Sequence, residues 1–189
     1  MTPQAAAVDR GAAVRRALRT LVARHGFHGA SMSAVAAEAG VATGTAYVHY
    51  RSKDDLVFAA YLETKRELGQ AAVAGIEPGA PPEQRFRRLW HNVHRHLAGD
   101  PDRARFLVQV EWSPYAREAH ERALGAADDP LVAEASKPDL AALLAPLQPG
   151  VLYDLALGPA VRLVAGGVEI DQAGLDAVAG ACWRAVTRG

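Results

Sequence analysis

The chain has 189 residues, half of them hydrophobic, and its acidic and basic residues cancel to a formal net charge of zero. Its length suits one mid-sized domain or a small domain joined to a larger one. A single cysteine excludes an intrachain disulfide framework, so a reducing, cytoplasmic setting is expected. No apolar run is long enough to span a bilayer, and we expect no membrane association.

Charge is distributed unevenly along the chain. Residues 1–56 contain seven basic and four acidic residues, whereas residues 57–189 contain fourteen basic and seventeen acidic ones, giving net charges of +3 and −3. A mildly basic N-terminal part and an acidic C-terminal part are typical of a DNA-binding domain, here called the head, joined to a domain that does not bind DNA, here called the body. We therefore predict a DNA-binding domain in residues 1–56 and a second helical domain in residues 57–189.

Almost every periodic segment has helical spacing, which predicts an all-α fold. Asp and Ser before proline mark several helix starts, and Ser52 and Asp171 are predicted N-caps. Pro159 is expected to kink or interrupt its helix, and residues 125–138 are predicted to be irregular. The predicted helices cover about 8–25, 33–39, 43–50, a long segment after Ser52, 82–98, 101–112, a segment after Pro114, 139–147, 151–165 and the segment after Asp171.

The segment from Ser31 to Tyr50 has the pattern of a helix-turn-helix. Ala36 is small enough for a second helix to approach, and Gly40 supplies the positive φ angle that a tight turn requires. Thr43 is placed to cap the second helix. Hydroxyl, phenol and imidazole groups, which suit base edges and phosphates, then project outward from Thr45, Tyr47 and His49.

The wider stretch from about Arg10 to Leu56 resembles the TetR family of transcriptional repressors. The matching residues are Ala17-Leu18, Leu21, Gly26-Phe27, Ser31-Met32-Ser33, Val35 to Val41, and Gly44 to Leu56. Ala46 stands where the family usually has leucine, and Val48 where an aromatic residue often precedes the histidine. We expect these two departures to soften the packing beneath the second helix of the motif, the recognition helix.

The resemblance implies a set of DNA contacts. Those nearest the base edges would be Thr43, Gly44, Thr45 and Tyr47. Phosphates would be held by Ser31, Ser33, His49 and Lys53. For Lys53 a physical argument agrees, because a cation in the first turn of a helix is disfavoured by the helix dipole and a nearby phosphate would relieve this.

A family member would comprise an N-terminal three-helix helix-turn-helix domain and a larger C-terminal helical domain for ligand binding and dimerisation, with about nine helices in all. Helix-turn-helix proteins read palindromic sites as two-fold dimers. The Ala- and Gly-rich segments 151–166 and 173–187 are the predicted homodimer interface, with ordinary intrachain core as the alternative. The family also implies a pocket for a small-molecule effector, and its predicted lining is Trp90, His94, Phe106, Val110, Trp112, Tyr115 and Tyr153.

The resemblance implies a ligand-responsive repressor that binds an operator, and two other functions are possible. A small helical enzyme or carrier is one alternative, but the sequence has no nucleophile elbow, phosphate loop or zinc-helix motif, and we expect no enzymatic activity and no cofactor. A constitutive DNA-binding protein without an effector is the other. No metal site is expected, since His91 and His96 fall on different sides of their helix, and Cys182 is expected to be a small buried hydrophobic residue.

Overall fold

The computed structural model describes the backbone of residues 3–125 and 129–188, with side chains from Arg10 onward. This part of the chain contains eleven α-helices, one 3₁₀ turn and no β-strand, which confirms the all-α prediction. The 3₁₀ turn is Phe27–Gly29. The helices are α1 (Pro3–His25), α2 (Met32–Glu38), α3 (Thr43–His49), α4 (Lys53–Val73), α5 (Pro82–Ala98), α6 (Pro101–Glu111), α7 (Ala116–Leu124), α8 (Pro130–Ala135), α9 (Pro138–Ala141), α10 (Pro149–Ala165) and α11 (Gln172–Val186).

Two compact units divide these helices. The described residues up to Thr64 cluster with residues 105–125 as unit 1, and the described residues of 65–104 and 126–189 form unit 2. Helices α4 and α6 each contribute residues to both units. The sequence-based boundary at residue 56 falls inside α4, and the division at that point remains a proposal about function.

The core of unit 1 is built on a four-residue repeat in α1. Val14, Leu18 and Val22 recur on one helical face and are fully buried, as the helical period requires. Val35 of α2 and Ala46 of α3 are also fully buried, and α1, α2 and α3 pack against one another. The small Ala46 is thus a core residue of α3, so the opposite face of this helix is the one exposed to solvent.

In unit 2, α5, α10 and α11 pack together. Trp90, Val93 and Leu97 of α5 are fully buried. At the start of the same helix, the Arg85 side chain is 2% exposed and its Nε lies 3.0 Å from Glu134 Oε1. Its Nη1 lies 2.8 Å from Asp139 Oδ2, so this network attaches α8 and α9 to α5.

Two expectations about the body are wrong in detail, and Pro159 does not interrupt its helix. Residues 126–128 of the segment predicted to be irregular lie outside the described residues. The rest is not all irregular, since α8 begins at Pro130 with Asp129 accepting a hydrogen bond from Leu131 N. The helix predicted over 139–147 ends at Ala141, and Leu144 instead pairs with Thr187 in an isolated β-bridge. Helix α10 continues through Pro159. Gly158 has no Cβ, so the restriction that proline places on the residue before it is weaker here.

Candidate nucleic-acid interface

Helices α2 and α3 form the predicted helix-turn-helix within unit 1. Ser31 is the N-cap of α2 and accepts a hydrogen bond from Ala34 N at 3.2 Å. Gly40 has φ 67° in the turn, a value that favours glycine. Val41 N donates to the Ala36 carbonyl at 2.9 Å, which closes the end of α2 and turns the chain into α3.

The outer face of α3 is contiguous and exposed. Thr43 and Gly44 are exposed at its start, Tyr47 is 51% exposed and Val48 is 82% exposed. A Cβ added at Gly44 would meet nothing within 4 Å, so the backbone of the first turn is open to a close approach. Tyr47 and Val48 lie three and four residues beyond Gly44, on the same face of the helix.

Two expectations about α3 are wrong. Thr43 does not cap the helix, because the N-cap is Ala42 and no side chain caps it. Val48 does not lie beneath the recognition helix, and its 82% exposure places it on the outer face beside Tyr47. Its position in the helical period, two residues after the buried Ala46, is the signal that would have found it.

The remaining residues with predicted DNA contacts flank this face. Ser31 and Ser33 are exposed with their Oγ atoms 3.0 Å apart, while Thr45 and His49 are half-buried. The Lys53 ammonium donates a hydrogen bond to the Phe27 carbonyl. This carbonyl is one negative partner for the cation in the first turn of α4, and because an ammonium has three N–H donors, this bond is compatible with a phosphate contact.

Tyr50, which the sequence argument did not select as a functional residue, anchors the end of α3. Its hydroxyl donates to the Gly11 carbonyl at 3.1 Å and accepts a hydrogen bond from Arg15 Nη1. Arg15 also pairs with Glu63 of α4. Burial raises the pKa of Tyr50, so the phenol stays protonated at neutral pH and joins α1, α3 and α4.

The residues predicted to line a pocket fall in both units. In unit 2, Trp90 is fully buried and stacks on His94 with ring centroids 5.9 Å apart. Burial lowers the pKa of His94, and the neighbouring His91 lowers it further. Tyr153 is also in unit 2, and the Lys65 ammonium lies 3.4 Å from the centre of its ring.

The other four predicted pocket residues belong to unit 1. Phe106 and Val110 are fully buried, whereas Trp112 is 75% exposed. Tyr115 packs against Phe27 with ring centroids 5.0 Å apart, and its hydroxyl donates to Asp54 Oδ1 at 2.7 Å. The Tyr115 side chain thus contacts residues of the head that flank the helix-turn-helix.

The described residues show neither a metal-binding cluster nor a membrane-spanning helix. Within residues 3–125 and 129–188, no group of three or more His, Cys, Asp or Glu side chains is arranged to hold a metal ion. Cys182 is buried; burial raises the pKa of its thiol, and a contact with Trp90 partly offsets this. None of the described helices combines the length and hydropathy needed to cross a membrane.

The fold resembles several solved structures. A TetR-family transcriptional regulator from Haemophilus influenzae Rd superposes with a TM-score of 0.80 at 24% identity, covering 97% of this chain and 99% of that one. The fatty acid degradation regulator FadR from Bacillus halodurans superposes with a TM-score of 0.68 at 21% identity, covering 95% of each chain. At these identities the likeness establishes the arrangement of helices.

Sequence comparison leads to the same group of proteins. An uncharacterized HTH-type transcriptional regulator from Haemophilus influenzae is 28% identical over 179 residues, which is 89% of this chain and 90% of the relative. The family model for bacterial regulatory proteins of the TetR family matches residues 14–60. The model for the tetracyclin repressor-like C-terminal domain matches residues 81–187. These relatives are regulators of transcription and not enzymes, as expected, and the chain belongs to the TetR family of transcriptional regulators.

Proposed function

We propose that the protein binds a palindromic DNA operator through the outer face of α3. The observation that carries this proposal is the contiguous exposure of Thr43, Gly44, Tyr47 and Val48 opposite the buried Ala46. A helix with one buried and one exposed polar face fits the major groove of B-DNA. In this proposal Thr43, Gly44, Thr45 and Tyr47 contact bases, while Ser31, Ser33, His49 and Lys53 contact phosphates.

Val48 extends this contact set. An isopropyl group that is 82% exposed on a polar face has a natural partner in the methyl group of thymine, the apolar feature of the major groove. Replacing individual thymines of the bound site by deoxyuridine tests this contact. Loss of affinity at one position in the wild type, but not in Val48→Ala, supports it, and equal loss in both proteins contradicts it.

We further propose a homodimer through α10 and α11, about residues 151–166 and 173–187. Val151 and Leu155 of α10 are 45% and 38% exposed, and a Cβ at Gly158 would meet nothing within 4 Å. The outer side of α11 carries exposed small residues every four positions: Ala173, Ala177, Ala181 and Ala185. Apolar and small side chains at this spacing support close packing of two helices from each subunit.

Regulation completes the proposal. We assign the protein as a cytoplasmic repressor that a small molecule, bound in the C-terminal domain, releases from DNA. The predicted pocket residues Trp90, His94 and Tyr153 of unit 2 are aromatic or imidazole groups of the kind that line such sites. For the effector to release the protein from DNA, it must bind more tightly to the conformation that cannot bind DNA than to the conformation that can.

The experiment begins with the wild-type protein and DNA from its own upstream region, assayed across a salt series. A linear loss of log affinity with log salt supports phosphate contacts, and no binding at low salt contradicts the proposal. Lys53→Ala should weaken binding to every sequence alike, whereas Arg66→Ala, an exposed charge on α4 in unit 2, serves as the matched control. A small-molecule screen by thermal shift then separates an inducible from a constitutive regulator.

A further inference from the structure

One side chain from the segment 105–125 reaches both ends of the helix-turn-helix. The Tyr115 hydroxyl donates to Asp54 Oδ1 at 2.7 Å. Its ring lies 5.0 Å from that of Phe27 and 5.8 Å from that of Phe58, the latter nearly perpendicular at 82°. We call these four residues the Tyr115 clasp.

Three members of the clasp lie just before and just after the helix-turn-helix in the chain. Phe27 belongs to the 3₁₀ turn that leads into Ser31, the N-cap of α2. Asp54 and Phe58 lie in the first turns of α4, just after α3 ends at His49. The motif that carries α3 is therefore bounded by two short segments, and Tyr115 packs on both. Lys53, which donates to the Phe27 carbonyl, joins the same two segments from within the head.

Tyr115 is itself held in place by local contacts. Its backbone N–H donates to Ser113 Oγ at 3.1 Å, and the Ser113 hydroxyl donates to the Val110 carbonyl at 2.7 Å. The Arg122 guanidinium covers the Phe58 ring at 4.1 Å. Burial and the adjacent Asp54 carboxylate raise the pKa of Tyr115 to about 12, so the phenol remains a hydrogen-bond donor at neutral pH.

All four residues of the clasp belong to unit 1. Residues of α6 up to Ala104 cluster with unit 2, and those from Arg105 onward cluster with unit 1. Tyr115 follows the end of α6 by four residues. The clasp therefore joins residues 105–125 to the two segments that border the helix-turn-helix, within unit 1.

We infer that Tyr115 is a positioning residue for DNA binding. It fixes the segment before the helix-turn-helix relative to the segment that follows it. This inference rests on the proposed function, because it assumes that the conformation with the clasp closed is the one that binds DNA. Opening the clasp lowers the fraction of molecules able to bind and reduces apparent affinity in proportion.

The test uses the full-length wild type, Tyr115→Phe, Asp54→Asn and the double variant, each titrated with a DNA site selected by the wild type from a random pool. Tyr115→Phe keeps the ring contacts and removes only the hydroxyl, and Asp54 is exposed, so both variants should fold. A charge-assisted hydrogen bond corresponds to an affinity loss of about tenfold, or ~1.4 kcal/mol. Leu124→Ala, a change at a 65% exposed residue of α7, is the matched control.

We expect about a tenfold loss of affinity in each single variant and no further loss in the double variant. The salt slope should stay unchanged, and Leu124→Ala should bind with wild-type affinity. Hydrogen exchange should become faster at residues 27–31 and 53–58 in Tyr115→Phe, while α11 is unaffected. Wild-type affinity in Tyr115→Phe, or losses that simply add in the double variant, would overturn the inference. If the wild type selects no DNA, the proposed function itself fails, which is a distinct outcome.

Discussion

Tyr50→Phe isolates the anchor at the end of α3. The substitution removes one hydroxyl from a side chain that is 9% exposed, and with it the bond donated to the Gly11 carbonyl at 3.1 Å and the bond accepted from Arg15. Leaving a buried polar group without its partner costs about 1–3 kcal/mol. Arg15 retains its ion pair with Glu63 in the variant. We therefore expect the free energy of unfolding to fall by about 1–2 kcal/mol, the lower part of the 1–3 kcal/mol range.

Urea denaturation followed by far-UV circular dichroism measures this loss. Tyr47→Phe is the matched control, because Tyr47 is 51% exposed and surface changes are usually worth less than about 0.5 kcal/mol. The m-value should stay unchanged in both variants. If Tyr50→Phe unfolds within about 0.5 kcal/mol of the wild type, the hydroxyl does not anchor α3 and the reasoning is refuted.

Three further predictions concern stability. Glu134→Gln removes one carboxylate partner of the buried Arg85 guanidinium and should lower the free energy of unfolding in urea by about 3 kcal/mol. The control Glu83→Gln, in an exposed pair on α5, should lower it by less than about 1 kcal/mol. Equal losses of stability in the two variants would contradict the buried network. The hydrogen bond from Arg85 lowers the pKa of Asp139 below its ordinary value of 3.8, so the stabilisation is present above that pH and is lost as the pH falls through the lower folded value. Acid titration of the urea midpoint should show this loss, and it should be smaller in Asp139→Asn. Gly40→Ala forces a side chain into φ 67° and should cost about 1–2 kcal/mol in the same urea assay, with an unchanged value excluding the assigned turn conformation.

The head was largely predictable from the sequence because its signals are local. Three of these signals are each determined by residues close together in the chain: the helical repeat in α1, the glycine turn at Gly40 and the N-cap at Ser52. The Ser52 Oγ accepts a hydrogen bond from Asp55 N at 3.0 Å. The Lys53 partner was not predictable, since the Phe27 carbonyl lies 26 residues earlier in the chain. Its approach to Lys53 depends on how the 3₁₀ turn packs.

The body was harder to predict for a related reason. Tyr115 has the residue type of a ligand-binding side chain, and only the fold shows that its partner is Asp54, 61 residues away. Helices α8 and α9 have only six and four residues, too few to show a helical period. They are held by ion pairs with Arg85 of α5. Charged partners at such separations leave no periodic signal.

The central claim is that the outer face of α3 reads DNA. A footprint of the wild type and Tyr47→Ala on the upstream region of the protein's own gene tests it most directly. The account predicts protection of a palindrome with half-sites about one helical turn or a multiple of it apart, lost in Tyr47→Ala while its urea unfolding remains that of the wild type. Protection that is the same in both proteins, or absent from wild-type samples at low salt, would contradict the account.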